Sequence, residues 1–237
     1  MREQDVQYTG VENLDAMEHA RNYNRHITGM MARRFRAGAR LLDFGAGQGT
    51  FARMMRESGY HVVCLEVDAR YRTLLAKEGF EVYQSVEAVP DASLDGLYLI
   101  NVLEHIERDG DVLRSLISKL KPGCAAFIYV PAFQVLYSAM DRAIGHYRRY
   151  SKRRLASTLR SAGFHVTAAR YHDSIGYLAT VVYKMAGNRE GRISARQVDV
   201  YDRMVFPISK AFDYLVGSVV GKNVSAIGVR RPAGGGF

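Results

Sequence analysis

His146 lies in the segment MDRAIGHYRRYSKRRL, where an acid (Asp141), an imidazole, two guanidinium groups (Arg148, Arg149) and a phenol (Tyr150) follow one another closely. Imidazole is the usual group for taking a proton near neutral pH. A guanidinium fork suits a carboxylate or a phosphate, and Gly145 gives the backbone freedom to gather these side chains. The spacing Asp141, His146, Arg149, Tyr150 therefore offers a base or anchor for an acidic acceptor. The second half of the run reads differently. Ser151 is placed to cap a helix, so Lys152, Arg153 and Arg154 fall in its first turn, where cations oppose the helix dipole. They are expected to face solvent or an anionic surface.

A second constellation lies upstream in LLDFGAGQGTF, where Gly45, Gly47 and Gly49 form GxGxG after Asp43. This is neither the GxGxxG of a dinucleotide loop nor the GxxxxGK[ST] of a phosphate loop, so a nucleotide phosphate and a hydride cofactor are both disfavoured. Glycines at such a turn let the backbone approach a ligand closely. Glu66 ends the following apolar run, where a carboxylate can accept both hydroxyls of a ribose. The pair suits an adenosine ligand without pyrophosphate.

Alternating elements must hold these groups. RLLDFG, HVVCLEV, EVYQS, LDGLYLIN and AAFIYVP read as strands, most of them continuously apolar, with helix-like stretches between. That is the pattern of a parallel sheet covered on both faces. FHVTAARY and NVSAIGVRR predict a sixth and a last strand. The gap between these two is too long for a connection, so residues 174–221 are expected to be a helical insertion. Its apolar stripes are Ile175, Leu178, Val181 and Val182, then Val198, Tyr201, Val205, Ile208, Phe212, Leu215 and Val219, with a kink at Pro207.

With these pieces in order, the chain resembles the class I S-adenosylmethionine (SAM) dependent methyltransferases. LLDFGAGQGTF matches the SAM glycine loop, CLEVD the ribose acid, SLDGLYLINVLEHI the fourth strand and its continuation, and LKPGCAAFIYVP the fifth-strand motif. The resemblance implies an α/β fold with a Rossmann-like, seven-stranded, doubly wound sheet. A single domain over 1–237 is expected: an N-terminal cofactor-covering helix in 1–38, a core in 39–173, the insertion in 174–221, and the last strand and tail in 222–237. It also implies SAM as cofactor, with Gly45, Ala46 and Gly47 lining its methionine part and Asp43 ordering the loop. Glu66 would hold the ribose, Val67 would pack on the adenine, and Ser85 and Val86 would lie near the adenine edge. Asn101 would face the sulfonium, and Tyr23, in the covering helix ENLDAMEHARNYNRHI, would bind the carboxylate. In LEH, Glu104 and His105 are taken to shape and cap a loop. GHYRRYS resembles the segment after the fifth strand in bacterial quinone and cell-envelope glycan methyltransferases, which makes His146, Arg149 and Tyr150 the expected catalytic group.

Composition agrees with an acidic partner. Lys and Arg outnumber Asp and Glu by 33 to 24, a net charge of +9 over 237 residues. The expected reaction is O-methylation of an acidic or amphiphilic small molecule; N-methylation of a heterocycle or amino sugar, and a non-catalytic SAM-binding protein, are the alternatives. No nucleic-acid module accompanies the core. Peripheral membrane contact and a homodimer remain open through the insertion. Cys64 and Cys124 sit in apolar runs without metal spacing, no metal set is expected, and with no secretory or membrane segment the location expected is cytoplasmic.

Overall fold

The computed structural model describes residues 20–185 and 195–232. Seven strands form one sheet: β1 (Arg40–Phe44), β2 (His61–Leu65), β3 (Glu81–Tyr83), β4 (Leu94–Ile100), β5 (Leu120–Pro131), β6 (His165–His172) and β7 (Asn223–Val229). Their order is β3-β2-β1-β4-β5-β7-β6. The first five pair in parallel, and β7 lies antiparallel between β5 and β6.

The apolar runs fill both faces because successive strand residues point to opposite sides. Leu42, Phe44, Val63, Leu65, Leu97, Leu99 and Ile128 enter one core, and Leu41, Val62, Cys64, Tyr98, Ile100, Phe127 and Tyr129 the other. Helices α1 (Arg21–Ala32), α2 (Thr50–Glu57) and α3 (Ala69–Lys77) cover the second face with Ile27, Met31, Met55 and Leu75. On the first face, α4 (Asp109–Lys119) contributes Leu113 and Leu116. A short α5 (Ala139–Ala143) precedes α6 (Lys152–Ser161), which adds Leu155 and Leu159 to the same core. Residues 1–19 of the expected covering segment lie outside the described residues; the helix is seen from Arg21 onward.

The insertion is helical, with α7 (Ser174–Met185), α8 (Ala195–Val200), a π turn (Tyr201–Val205) and α9 (Phe206–Val216). Pro207 sits at the start of α9. Proline has no N–H to give, and the chain accommodates it through a widened turn ahead of it rather than a sharp kink. The apolar stripes divide: Val198 and Tyr201 pack against the core, and much of the rest faces outward. Leu178, Val182, Ile208, Phe212, Leu215 and Val219 are each at least half exposed. The side turned inward on α9 carries Phe206, Ser209 and Asp213.

Polar contacts explain this outward orientation. Asp213 accepts the backbone N–H groups of Asp173 (2.6 Å) and Ser174 (2.8 Å) at the start of α7. Asp173 accepts from Ser209 Oγ (2.8 Å) and the Gly176 amide (3.1 Å). Asp202, in the π turn, accepts from the amides of Asn22 and Tyr23, both at 2.8 Å. The N-cap residue of α1, Ala20, has no capping side chain, so a carboxylate distant in sequence supplies the cap. Buried carboxylates on helix N-termini, rather than an apolar stripe, thus fasten the insertion to α1 and to the end of β6.

Candidate active site

The carboxyl ends of β1, β2, β4 and β5 gather on one edge of the sheet, and β1 is where the strand order reverses, the usual place for a ligand crevice in such sheets. The chain leaves β1 through Gly45, Gly47 and Gly49, all with positive φ. At Gly45 (φ 74°) a Cβ would meet the Val102 side chain at 2.7 Å, so this turn is closed to other residues.

Glu66, at the end of β2, accepts from the Gly47 amide (2.7 Å) and the Asp68 amide (2.8 Å), one to each oxygen. Each oxygen keeps a further accepting direction for a ligand hydroxyl. The next residue, Val67, is 62% exposed, an apolar side chain standing in solvent beside that carboxylate. Asn101 ends β4 with φ 54°, a left-handed conformation typical of strained functional turns. The Tyr23 hydroxyl hydrogen-bonds with Tyr129 and Asn101, and burial raises its pKa. Asp43 is buried beneath the loop, its Oδ2 without a hydrogen-bond partner among the described residues, and desolvation pushes its carboxyl up to about 7. A fixed diol acceptor, an exposed apolar platform and a glycine turn fit the adenosyl cofactor expected from the sequence.

The second group lies beyond β4 and β5. A short 3-10 turn, Leu103–His105, carries Glu104 and His105. Asp141, the third residue of α5, closes a capping box with Ser138, whose amide donates to Oδ2 at 2.8 Å. The same carboxylate meets His146 Nδ1 at 2.8 Å and takes a bidentate pair from Arg149, Nε to Oδ1 at 2.8 Å and Nη2 to Oδ2 at 3.0 Å. These partners hold the Asp141 carboxyl well below its ordinary range although burial opposes them. The other ring nitrogen of His146, Nε2, lies 3.8 Å from Glu104 Oε1, and the His105 and His146 rings are 4.5 Å apart edge to face.

Glu104 is fully buried, and neither of its oxygens has a hydrogen-bond partner among the described residues. Desolvation pushes its carboxyl up to about 8 and takes His105 down to about 4. Arg149 Nη1 is likewise buried and unpartnered. Unsatisfied buried polar atoms are costly, and each calls for an explanation such as a bound group.

The structure alters the expectations for Tyr150, Arg148 and the Glu104–His105 pair. Tyr150 is fully buried, with its hydroxyl on Asp109 Oδ2 at 2.7 Å. Its backbone bridges the end of β5, so neighbours alternate sides: Arg149 turns to the site and Tyr150 to the core. Arg148 pairs with Asp109 at 3.0 Å instead of pointing into the site. Ser85 and Val86 lie just past β3, where Ser85 hydrogen-bonds Glu87 and the partly buried Val86 packs against the core cluster, neither of which takes them away from the expected adenine edge. Glu104 and His105, expected to shape a loop, also have side chains that converge on His146. The signal was present in LEH, but only the fold brings it to GHYRRY. Ser151 caps α6 as expected, accepting from the Arg154 amide.

Comparison with known proteins bears on this arrangement. The Methyltransferase domain family matches residues 16–169. The ubiquinone biosynthesis O-methyltransferase of Xanthomonas axonopodis pv. citri (strain 306) is 28% identical over 152 residues, 54% of this chain and 63% of that protein. The chain thus spans less than two thirds of that relative's length. A chain of the complex between the Trm112 methyltransferase activator of Haloferax volcanii and a methyltransferase superposes with TM-score 0.64 at 15% identity, covering 97% of this chain and 100% of that one. A SAM-dependent methyltransferase of Archaeoglobus fulgidus gives 0.58 at 19% identity, covering 87% and 94%. At these identities the structural likeness concerns the fold.

Proposed function

Because this chain belongs to the class I SAM-dependent methyltransferase family, we propose that it methylates an oxygen of a small acidic or amphiphilic acceptor held at His146. S-Adenosylmethionine supplies a methyl group activated by a positively charged sulfur. Glu66 holds the ribose hydroxyls through the two oxygens that Gly47 and Asp68 orient. Val67 forms one side of the adenine slot, the Gly45–Gly47 backbone lines the methionine part with Ala46 between, and Asp43 braces the loop from below. Asn101 would face the sulfonium, and Tyr23, already hydrogen-bonded to it, would hold the carboxylate.

The observation that carries the oxygen reading is the buried, Asp141-bound imidazole whose Nε2 faces the unpartnered Glu104 carboxyl. An amine acceptor needs no such centre, whereas a hydroxyl must lose its proton. The acceptor oxygen forms the new O–C bond, the C–S electron pair returns to sulfur, and the hydroxyl proton is given up to the Glu104–His146 centre. Most of the rate comes from holding oxygen and methyl in line in a dry crevice. The unpartnered Arg149 Nη1 supports an acidic acceptor, since its guanidinium has one arm left for a carboxylate or phosphate. His146→Ala, assayed with a panel of phenolic and carboxylated acceptors, is expected to lose about 10²–10⁴-fold in kcat, the range for a positioned proton acceptor, with SAM affinity retained. Undiminished turnover in that variant would remove His146 from the reaction.

A further inference from the structure

We propose that Glu104, His105 and His146 form a divalent transition-metal site that binds the acceptor oxygen. The inference rests on the reading that this oxygen sits at His146, and it says how the oxygen is bound. One ligand atom from each of the three side chains lies within 4.8 Å of the others. His146 Nε2 and Glu104 Oε1, 3.8 Å apart, are separated by a gap that two metal bonds of about 2.0–2.2 Å can bridge.

The surroundings of each ligand argue the same way. A metal-bound histidine characteristically donates its other ring N–H to a carboxylate or a backbone carbonyl, which fixes the tautomer and aims the lone pair. His146 meets Asp141 Oδ1 through Nδ1 at 2.8 Å, leaving Nε2 for the shared point. His105 hydrogen-bonds the backbone of Ile144 and Gly145, on the same short segment that carries His146. Asp141 is itself locked by Arg149 and the Ser138 amide, so the outer support is rigid.

Glu104 supplies an independent observation. A fully buried carboxylate with neither oxygen hydrogen-bonded to another side chain among the described residues has a large desolvation penalty that the Arg149 charge offsets only in part, and a cation at the shared point would offset it further. If one oxygen binds the cation, the second remains to take the hydroxyl proton. Two imidazoles and one carboxylate favour zinc, manganese or iron(II) over calcium or magnesium, which prefer all-oxygen sets, and a three-ligand face leaves positions open for a substrate oxygen.

The test begins with the purified full chain stripped by a chelator and titrated with Zn²⁺ and Mn²⁺ by calorimetry, with thermal melting in parallel. One equivalent should bind at micromolar or tighter affinity and raise Tm. Glu104→Gln and His105→Asn should each bind at least tenfold more weakly, in line with loss of one ligand. Methyl transfer by the wild type should fall at least tenfold on chelation and return with added metal. Absence of stoichiometric binding by the folded, stripped wild type, or turnover indifferent to chelator, overturns the metal site whether or not the variants fold. In that case a His146-dependent reaction would leave the oxygen-acceptor reading standing; metal binding with turnover independent of His146 would sink that reading instead.

Discussion

Asp202→Ala should loosen α1, the helix proposed to cover the cofactor, by removing the partner of its first-turn amides. Asp202 is 2% exposed and takes the Asn22 and Tyr23 amides at 2.8 Å each, two of the first-turn donors that α1 cannot satisfy internally. Loss of a capping carboxylate costs about 0.5–2 kcal/mol. Leaving buried N–H groups without partners adds about 1–3 kcal/mol, so a total of ~2–4 kcal/mol is expected. For a chain of this size each kcal/mol is worth about 2–4 °C, and Tm should fall by roughly 5–15 °C. Because α1 carries Tyr23, whose ring packs on Phe206 at 5.3 Å, SAM affinity should drop as well, about tenfold for each 1.4 kcal/mol by which α1 undocks. Differential scanning fluorimetry with and without SAM, followed by calorimetric titration, reads both effects, and Asp202→Asn should fall between. A variant melting within about 1 °C of wild type, with unchanged SAM affinity, would refute the idea that the insertion caps the covering helix.

Gly45→Ala sets a Cβ at 2.7 Å from Val102 on a backbone with φ 74°, so it should abolish measurable SAM binding in titration while the far-UV spectrum is retained. Phe212→Ser and Leu215→Ser, on the exposed face of α9, should shift stability by less than about 0.5 kcal/mol, whereas Asp213→Ala, which uncaps α7, should cost ~2 kcal/mol or more in urea melts. Tyr150→Phe removes one buried hydrogen bond and should cost about 1 kcal/mol of stability with kcat unchanged, separating a core phenol from a reacting one. Asp43, with its carboxyl pushed up to about 7 in the fold, holds a proton there that the unfolded chain has released above pH ~4. Stability of the cofactor-free protein should therefore decline between pH 4 and 7 on this account, and Asp43→Asn should flatten that stretch of the pH–Tm profile.

The sheet is legible because its strands are apolar on both faces, a pattern that resists other readings, and GxGxG and Glu66 fall at neighbouring strand ends, where the sequence puts them. In the insertion, periodicity marks helices but does not orient them. Ile208, Phe212 and Leu215 recur at helical spacing, but Ser209 and Asp213 serve the amides at the start of α7 and so turn that stripe outward. Tyr150 was misjudged by one residue of alternation, since a chain that bridges a strand end sends neighbours to opposite sides. Glu104, His105 and His146 meet only because the turn after β4 and the segment after β5 leave adjacent parallel strands. No local spacing reports such a juxtaposition.

The place of β7 has a consequence for how the molecule comes into being. Among the strands it is synthesised last, yet it is inserted between β5 and β6, pairing with both along its length. Every side chain assigned to the site precedes it by some distance, so a nascent chain emerging from the ribosome already carries the complete reactive set while β6 has nothing to pair with. During that interval the edges of β5 and β6 stay open to wrong partners, which makes the interval one of aggregation risk. A chaperone that shields open strand edges should therefore engage this polypeptide late in translation and let go once residues 223–229 slot home.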